Sequence, residues 1–318
     1  MADRFVTWTP LRLAKLFVVI AALIGIPPVA NSPVITTVFI SALMFGIFGA
    51  IYDLMIGYAG LTNFGYAAFI AVGAYASGLA DVNYGISPWL GLAIGGVAGG
   101  IFGFLTGVVT LRLRGLYLGL MTWFIGESVR LTISNTPSVT RGMLGLTVDP
   151  FPNILGIDFS RGHLVAYYFL LVVLGGLILG AMFWLVQSKI GLAFKAIRED
   201  QLATESLGLS ATRYKLLNFT VASLFTGVMG SFYAHYLGIL SPTPEEFGVQ
   251  RTVEVLTMAY VGGRGTLWGS LVAAFLLVGF QEYFRALGAW RLIMFGVLLI
   301  VVMLFAQRGL AGLIKRLW

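Results

Sequence analysis

The 318-residue chain is 58% hydrophobic and only 10% charged, with a formal charge of +7. Water-soluble domains average about 25% charged residues, so a soluble globular fold is excluded. The absence of cysteine rules out a disulfide framework or a thiolate metal site, and Lys and Arg gather at the ends of apolar runs, which points to membrane orientation rather than nucleic acid.

At about twenty residues per crossing, this length supplies eight to ten membrane helices. Arg4, Arg12 and Lys15 precede an apolar run at 16–26, in the manner of a signal peptide. Pro27, Pro28, Val29, Ala30 and Asn31 make a poor cleavage site, so the run is read as a retained first span. Hydropathy then predicts spans at about 16–30, 34–52, 60–80, 88–111, 115–134, 164–187, 214–238, a short one near 252–262, 266–284 and 290–306. Arg4, Arg12 and Lys15 place the N-terminus inside. Ten crossings then bring Arg112 with Arg114, the group from Lys189 to Lys215, and Arg308 with Lys315 and Arg316 to the same side. Both termini are expected in the cytoplasm. The fold class expected is an all-α, polytopic transmembrane bundle forming one domain over 1–318, and its 41 glycines suit closely packed membrane helices.

Two spans are irregular. The third opens on Gly57-Tyr-Ala-Gly-Leu-Thr-Asn-Phe-Gly65, and the short eighth ends in Gly262-Gly-Arg-Gly265. Non-helical backbone at membrane depth is tolerated only inside protein or beside a wet cavity. Spans 2–5 and 7–10, at about 34–134 and 214–306, enter from opposite faces and read as inverted four-helix repeats in which the third and eighth spans correspond. Paired broken helices of this kind mark a translocation site. Asn63, Phe64, Tyr66, Thr122, Glu127, Glu254, Gly262 and Gly263 are the candidate pathway residues. A plain packing role for these glycines stays open at this level.

No enzyme signature, phosphate loop or metal-ligand cluster is found. Glu127 and Arg130 lie three apart on the fifth span and can neutralise each other, as can Arg251 and Glu254 on the eighth. Asp53 and Glu282, near span ends, are expected to reach water, and His235 to sit at the membrane interface. The outer segment 135–162 reads as a solvated loop, as a cap on the outer mouth or as a docking site for a partner.

Between the sixth and seventh spans lies a polar island at 189–215. Residues 193–207 are good helix formers and Gly208 is a natural stop, so a single surface helix is expected over about 192–208. Ala196, Ile197, Leu202, Ala203 and Leu207 give it broken apolar faces, with Arg198, Glu199, Asp200 and Glu205 between them. A simple solvated connector gains nothing from such faces, whereas a docking helix for a cytoplasmic partner does.

Four motifs together resemble the permeases of high-affinity branched-chain amino acid ABC importers, specifically the M-type subunit. They are Gly60-Leu-Thr-Asn-Phe-Gly-Tyr-Ala-Ala-Phe69 with Gly73-Ala-Tyr75; Leu111-Arg-Leu-Arg-Gly-Leu-Tyr-Leu118 with Gly126-Glu-Ser-Val-Arg130; the segment 193–214, with Arg198-Glu199 and with Ala203 ahead of Leu207-Gly208; and Val261-Gly-Gly-Arg-Gly-Thr-Leu-Trp-Gly269 followed by Phe305 and Arg308-Gly-Leu310. The chain departs from the family at Gly65-Tyr66, where Gly-His is common, and at Thr140-Arg141-Gly142, where Thr-Gly-Gly is usual. The resemblance implies a five-part machine in the bacterial inner membrane: this chain, a homologous permease, two ATPases and a periplasmic substrate-binding protein. It implies that Ala196, Arg198, Glu199, Asp200, Leu202, Ala203, Leu207 and Gly208 couple to the ATPases, that ATP and magnesium belong to those partners, and that this chain is not itself an enzyme. Small amino acids, above all leucine, isoleucine and valine, are the expected cargo. Urea, short amides or aromatic acids are the alternatives for the same machine, and a carrier or channel without ATPases is the rival class.

Overall fold

The computed structural model describes residues 32–285 except 114, 155 and 161, together with 25–29, 309–312 and scattered positions between 288 and 300. Helix α1 (Pro33–Asp53) opens with proline at its first turn, where a missing N–H costs nothing, and runs into a π-helical turn at Leu54–Tyr58. The wider turn leaves the Leu54 carbonyl for Asn218, whose Nδ2 donates to it at 2.8 Å. After a non-helical stretch the chain continues through α2 (Tyr66–Tyr84), α3 (Pro88–Thr110), α4 (Leu116–Ser134), α5 (Leu164–Gln187), α6 (Lys189–Glu199), α7 (Gln201–Ser206), α8 (Ala211–Leu237), α9 (Val249–Gly262) and α10 (Trp268–Tyr283).

The molecule is an all-α polytopic membrane bundle. Among the described residues, four helices are long and apolar enough to cross a membrane: α1 with its π turn, α3, α5 and α8. Helix α9 is short, with 14 residues, as expected of the eighth span. Most of the expected first span, and most of the tenth at 290–306, which would end the second repeat, lie outside the described residues.

Helix α8 is the axis of the packing. It meets α2 and α3 so closely that a Cβ on Gly227 would come 2.2 Å from the Gly95 carbonyl oxygen, and one on Gly73 would come 2.3 Å from that of Gly227. Only glycine permits this three-way approach. The far side of α3 presents Val97, Ile101, Phe104, Leu105 and Val108 outward, as a lipid-facing surface does.

The segment after α4 is anchored to the bundle through part of its length, while Val139, Met143 and Leu144 stay exposed. Its strand β1 (Leu146–Thr147) pairs antiparallel with β2 (Ile239–Leu240) beyond α8. The Asp149 N–H donates to the Asp81 carboxylate at 2.8 Å. Phe151 is buried among Trp89, Phe159, Tyr167 and Phe232. His235 is buried as well, not interfacial: Nδ1 lies 2.7 Å from the Asp149 carbonyl and Nε2 lies 2.8 Å from Ser77 Oγ. A carbonyl can only accept, so Nδ1 carries a proton, and in the neutral ring Nε2 accepts from the serine. The sequence alone could not supply that partner, because it comes from a loop more than eighty residues away.

Candidate functional site

The polar island folds as two helices, not one. Asp200 breaks it: its backbone is extended (φ −151°, ψ 108°), and its Oδ1 accepts the Ala203 N–H at 3.0 Å, capping α7. A short acceptor side chain favours this N-cap geometry, a preference the helix-former count over 193–207 had overlooked. Gly208 then ends α7 with φ +85°, the left-handed stop expected of it.

One face of α6 is committed to the bundle. Gly191, Ala193, Phe194 and Ile197 are buried, and Phe194 packs edge-on to Tyr214 of α8. Ser188 caps α6 by accepting the Ile190 N–H. Helix α7 is held by Lys215, which donates to Gln201 Oε1 at 2.8 Å, and by the buried Thr204. Ala196, Arg198, Glu199, Asp200, Leu202, Ala203, Leu207 and Gly208 all stand at the surface. Leu202 is 66% exposed and Leu207 84% exposed, amid Glu199, Asp200 and Glu205. Arg198 differs from its neighbours: besides its 2.9 Å ion pair with Glu199, it turns inward and donates to the Gly57 carbonyl.

The candidate pathway residues occupy separate places. Phe64 and Glu127 line a narrow cleft with Gly65, Trp123, Gly126 and Thr252. Thr122 sits behind it and accepts the Phe64 N–H at 3.0 Å. Helix α4 rides directly on the 63–65 backbone, since a Cβ on Gly65 would come 1.9 Å from the Thr122 carbonyl oxygen. Asn63 and Tyr66 are enclosed in the chain's own core. Asn63 Oδ1 accepts the Gly65 N–H at 3.0 Å, while the Tyr66 hydroxyl donates to the Phe48 carbonyl at 3.2 Å and accepts from Thr226 at 2.8 Å.

Both expected ion pairs form. Arg130 pairs with Glu127 and also donates to the Pro242 carbonyl at 3.0 Å. Arg251 pairs with Glu254 at 2.9 Å, reaches the Tyr233 hydroxyl at 3.3 Å and lies over the Phe45 ring. Glu254 therefore faces α1 and α8, away from the Phe64 cleft. Beside Arg251, burial pushes the Glu246 carboxyl above the usual carboxylate range, and the Ser241 N–H and the guanidinium pull it partly back. Gly262 and Gly263 lie buried at the other end of α9, where a Cβ on Gly262 would come 2.4 Å from the Gly269 carbonyl carbon.

Two positions beside the candidate site escaped the sequence. Thr252 accepts the Ala67 N–H at 3.0 Å and so ties the start of α2 to α9. Asp53, expected to reach water, is fully buried, with its carboxylate on the Gly265, Thr266 and Leu267 N–H groups. A lone acid just before the glycines of the 57–65 break was the available signal, because a buried carboxylate demands donors.

Residues 34–306 match the family model described as the permease component of the branched-chain amino acid transport system. The chain is 32% identical over 289 residues to the LivM permease protein of the high-affinity branched-chain amino acid transport system of Salmonella typhimurium, covering 84% of this chain and 68% of the relative. LivM of Escherichia coli gives the same identity and coverage. The LivH permease protein of Salmonella typhimurium is 23% identical over 277 residues, covering 82% of this chain and 89% of LivH. No solved structure matches significantly. With a family match across most of its length and LivM likeness over 84% of its residues, the chain belongs to the branched-chain amino acid transport permeases, as an M-type subunit.

Proposed function

We propose that this chain forms one half of the translocation pathway of an ATP-driven importer of leucine, isoleucine and valine in a bacterial inner membrane. A homologous permease supplies the other half, two ATPases bind from the cytoplasm, and a periplasmic protein delivers the substrate. Both termini and the α6–α7 segment face the cytoplasm. ATP and magnesium are bound by the partners, and the two permeases alternate between outward and inward access.

One observation carries the reading: α6 buries one face in the bundle while Leu202 of α7 and Leu207, just past its end, project from it among carboxylates. Lipid would not accept those acids, and water disfavours those leucines, so a polypeptide partner with an apolar socket suits the surface. The names of the LivM and LivH relatives support the cargo class. The departure at Tyr66 does not argue for another cargo, since its side chain is bonded inside the core.

The test is a ligand screen on the cognate binding protein, followed by uptake in vesicles carrying the whole complex. Tight binding and uptake of leucine, isoleucine or valine is the expected result; binding of urea, short amides or aromatic acids alone refutes the cargo. Replacing Glu199, Leu202 and Gly208 together should abolish substrate-stimulated ATP hydrolysis, and normal stimulation would remove the docking assignment. Uptake by this chain reconstituted alone would favour a carrier or channel.

A further inference from the structure

The loop joining α9 to α10 has unusual backbone. Gly263, Gly265 and Leu267 have positive φ, of 107°, 79° and 39°. For Leu267, a side-chain-bearing residue, this conformation is strained and persists only where its surroundings enforce it. The enforcing group is Asp53. Its Oδ1 accepts the Gly265 N–H at 2.8 Å, and its Oδ2 accepts those of Thr266 at 3.0 Å and Leu267 at 3.1 Å. Tyr58, one turn on, adds a 2.9 Å hydrogen bond to the Gly265 carbonyl.

The other side of the same turn is held by α6. Arg198 donates to the Gly57 carbonyl, between Asp53 and Tyr58, and its stem lies against Gly60. Lys195 Nζ sits 5.6 Å from the centre of the Tyr58 ring. There is no slack across the turn, because a Cβ on Gly57 would come 2.4 Å from the Gly265 nitrogen. Residues 53–60 are thus wedged between the surface helix and a strained loop that leads into both α9 and α10.

We propose that Asp53 is the positioning residue that carries displacement of α6 into the 263–267 loop, turning a pull on the surface segment into rearrangement of α9 and α10. The proposal rests on the coupling role given above to α6 and α7. Coupling needs an element that can take two arrangements rather than mere proximity, and under the proposal that part falls to the strained loop clamped by this carboxylate. Arg198 reaches it through the Gly57 carbonyl, not through a direct ion pair with the acid.

The experiment uses the complete complex with its ATPases. In Asp53→Asn the side chain keeps its shape, but the amide nitrogen cannot accept the hydrogen bonds that a carboxylate oxygen takes. Co-purification of the ATPases and basal hydrolysis are expected to persist, while substrate moved per ATP hydrolysed falls roughly tenfold. Arg198→Gln should lower the same ratio, and the double variant should fall no further than the worse single one, because both residues sit on one line of transmission. An unchanged ratio in Asp53→Asn, or losses that multiply in the double variant, overturns the proposal. Should Asp53→Asn fail to assemble, Tyr58→Phe removes only the hydroxyl that bonds Gly265; a normal ratio there and in Arg198→Gln is equally fatal. Failure of the coupling reading looks different: Leu202→Ser with Leu207→Ser would then leave ATPase attachment and uptake intact.

Discussion

The connection after α4 and the one after α5 differ in what they bury, although each also exposes leucine: Leu144 is 89% exposed and Leu207 84% exposed. The first buries Leu146, Val148, Phe151 and Phe159 against α2, α3, α5 and α8, and ties its backbone to Asp81 and His235. The second buries one face of α6, through Ala193, Phe194 and Ile197, with Thr204 of α7, and leaves Leu202 and Leu207 at its tip uncovered. A segment that buries an aromatic cluster contributes to the stability of the chain. One that leaves leucines outside, flanked by acids, contributes little until a partner arrives. The contrast is between a segment anchored by buried aromatics and an exposed tip for which docking is proposed.

Substitutions can break or sharpen that contrast. The largest effect on stability is expected from Phe151→Ala, which empties an aromatic cluster; a loss of about 3–5 kcal/mol should appear as a marked drop in the unfolding temperature of the purified membrane protein. His235→Ala comes next, at about 1–3 kcal/mol, because it strips the Asp149 carbonyl of its donor and Ser77 of its acceptor inside the core. Amide exchange in residues 146–152 should rise with it, and unchanged exchange would show that the histidine does not pin that segment.

Arg141→Gly works in the other direction. Arg141 holds φ +60°, a conformation glycine adopts without steric cost, so relieving it should raise stability by up to about 1 kcal/mol. Smallest in the folded chain is Leu202→Ser with Leu207→Ser, expected within about 0.5 kcal/mol of the parent by thermal unfolding. Its consequence belongs to the complex, where retention of the ATPases and leucine uptake should both decline. A large drop in thermal stability from this pair would mean that the tip is structural after all, and the contrast would vanish.

Much of the fold was legible because its causes are local. Apolar length identifies α1, α3, α5 and α8 as crossings, proline and glycine mark the starts of α1 and α3 and the ends of α2 and α7, and spacing three apart predicts both ion pairs. The break at Asp200 was legible in principle, since a short acceptor side chain followed by free N–H groups is a cap wherever it occurs. The motifs around Gly60, Gly126, Arg198 and Gly262 identified the family, and the comparisons bear that out.

What the amino-acid order determined by itself was the solvent each stretch prefers and the conformation each turn allows, because those follow from a residue and its near neighbours. Only the tertiary structure decided that Asp53 is buried, that His235 is locked to Asp149, that Tyr66 lies in the core and that Phe64, Glu127 and Thr252 share a cleft. Each of these depends on a donor, acceptor or wall from a distant part of the chain, the Asp53 partners lying more than two hundred residues away. A hydrogen bond acts over about 3 Å of space and is indifferent to separation along the chain, so nothing in the neighbouring sequence announces it.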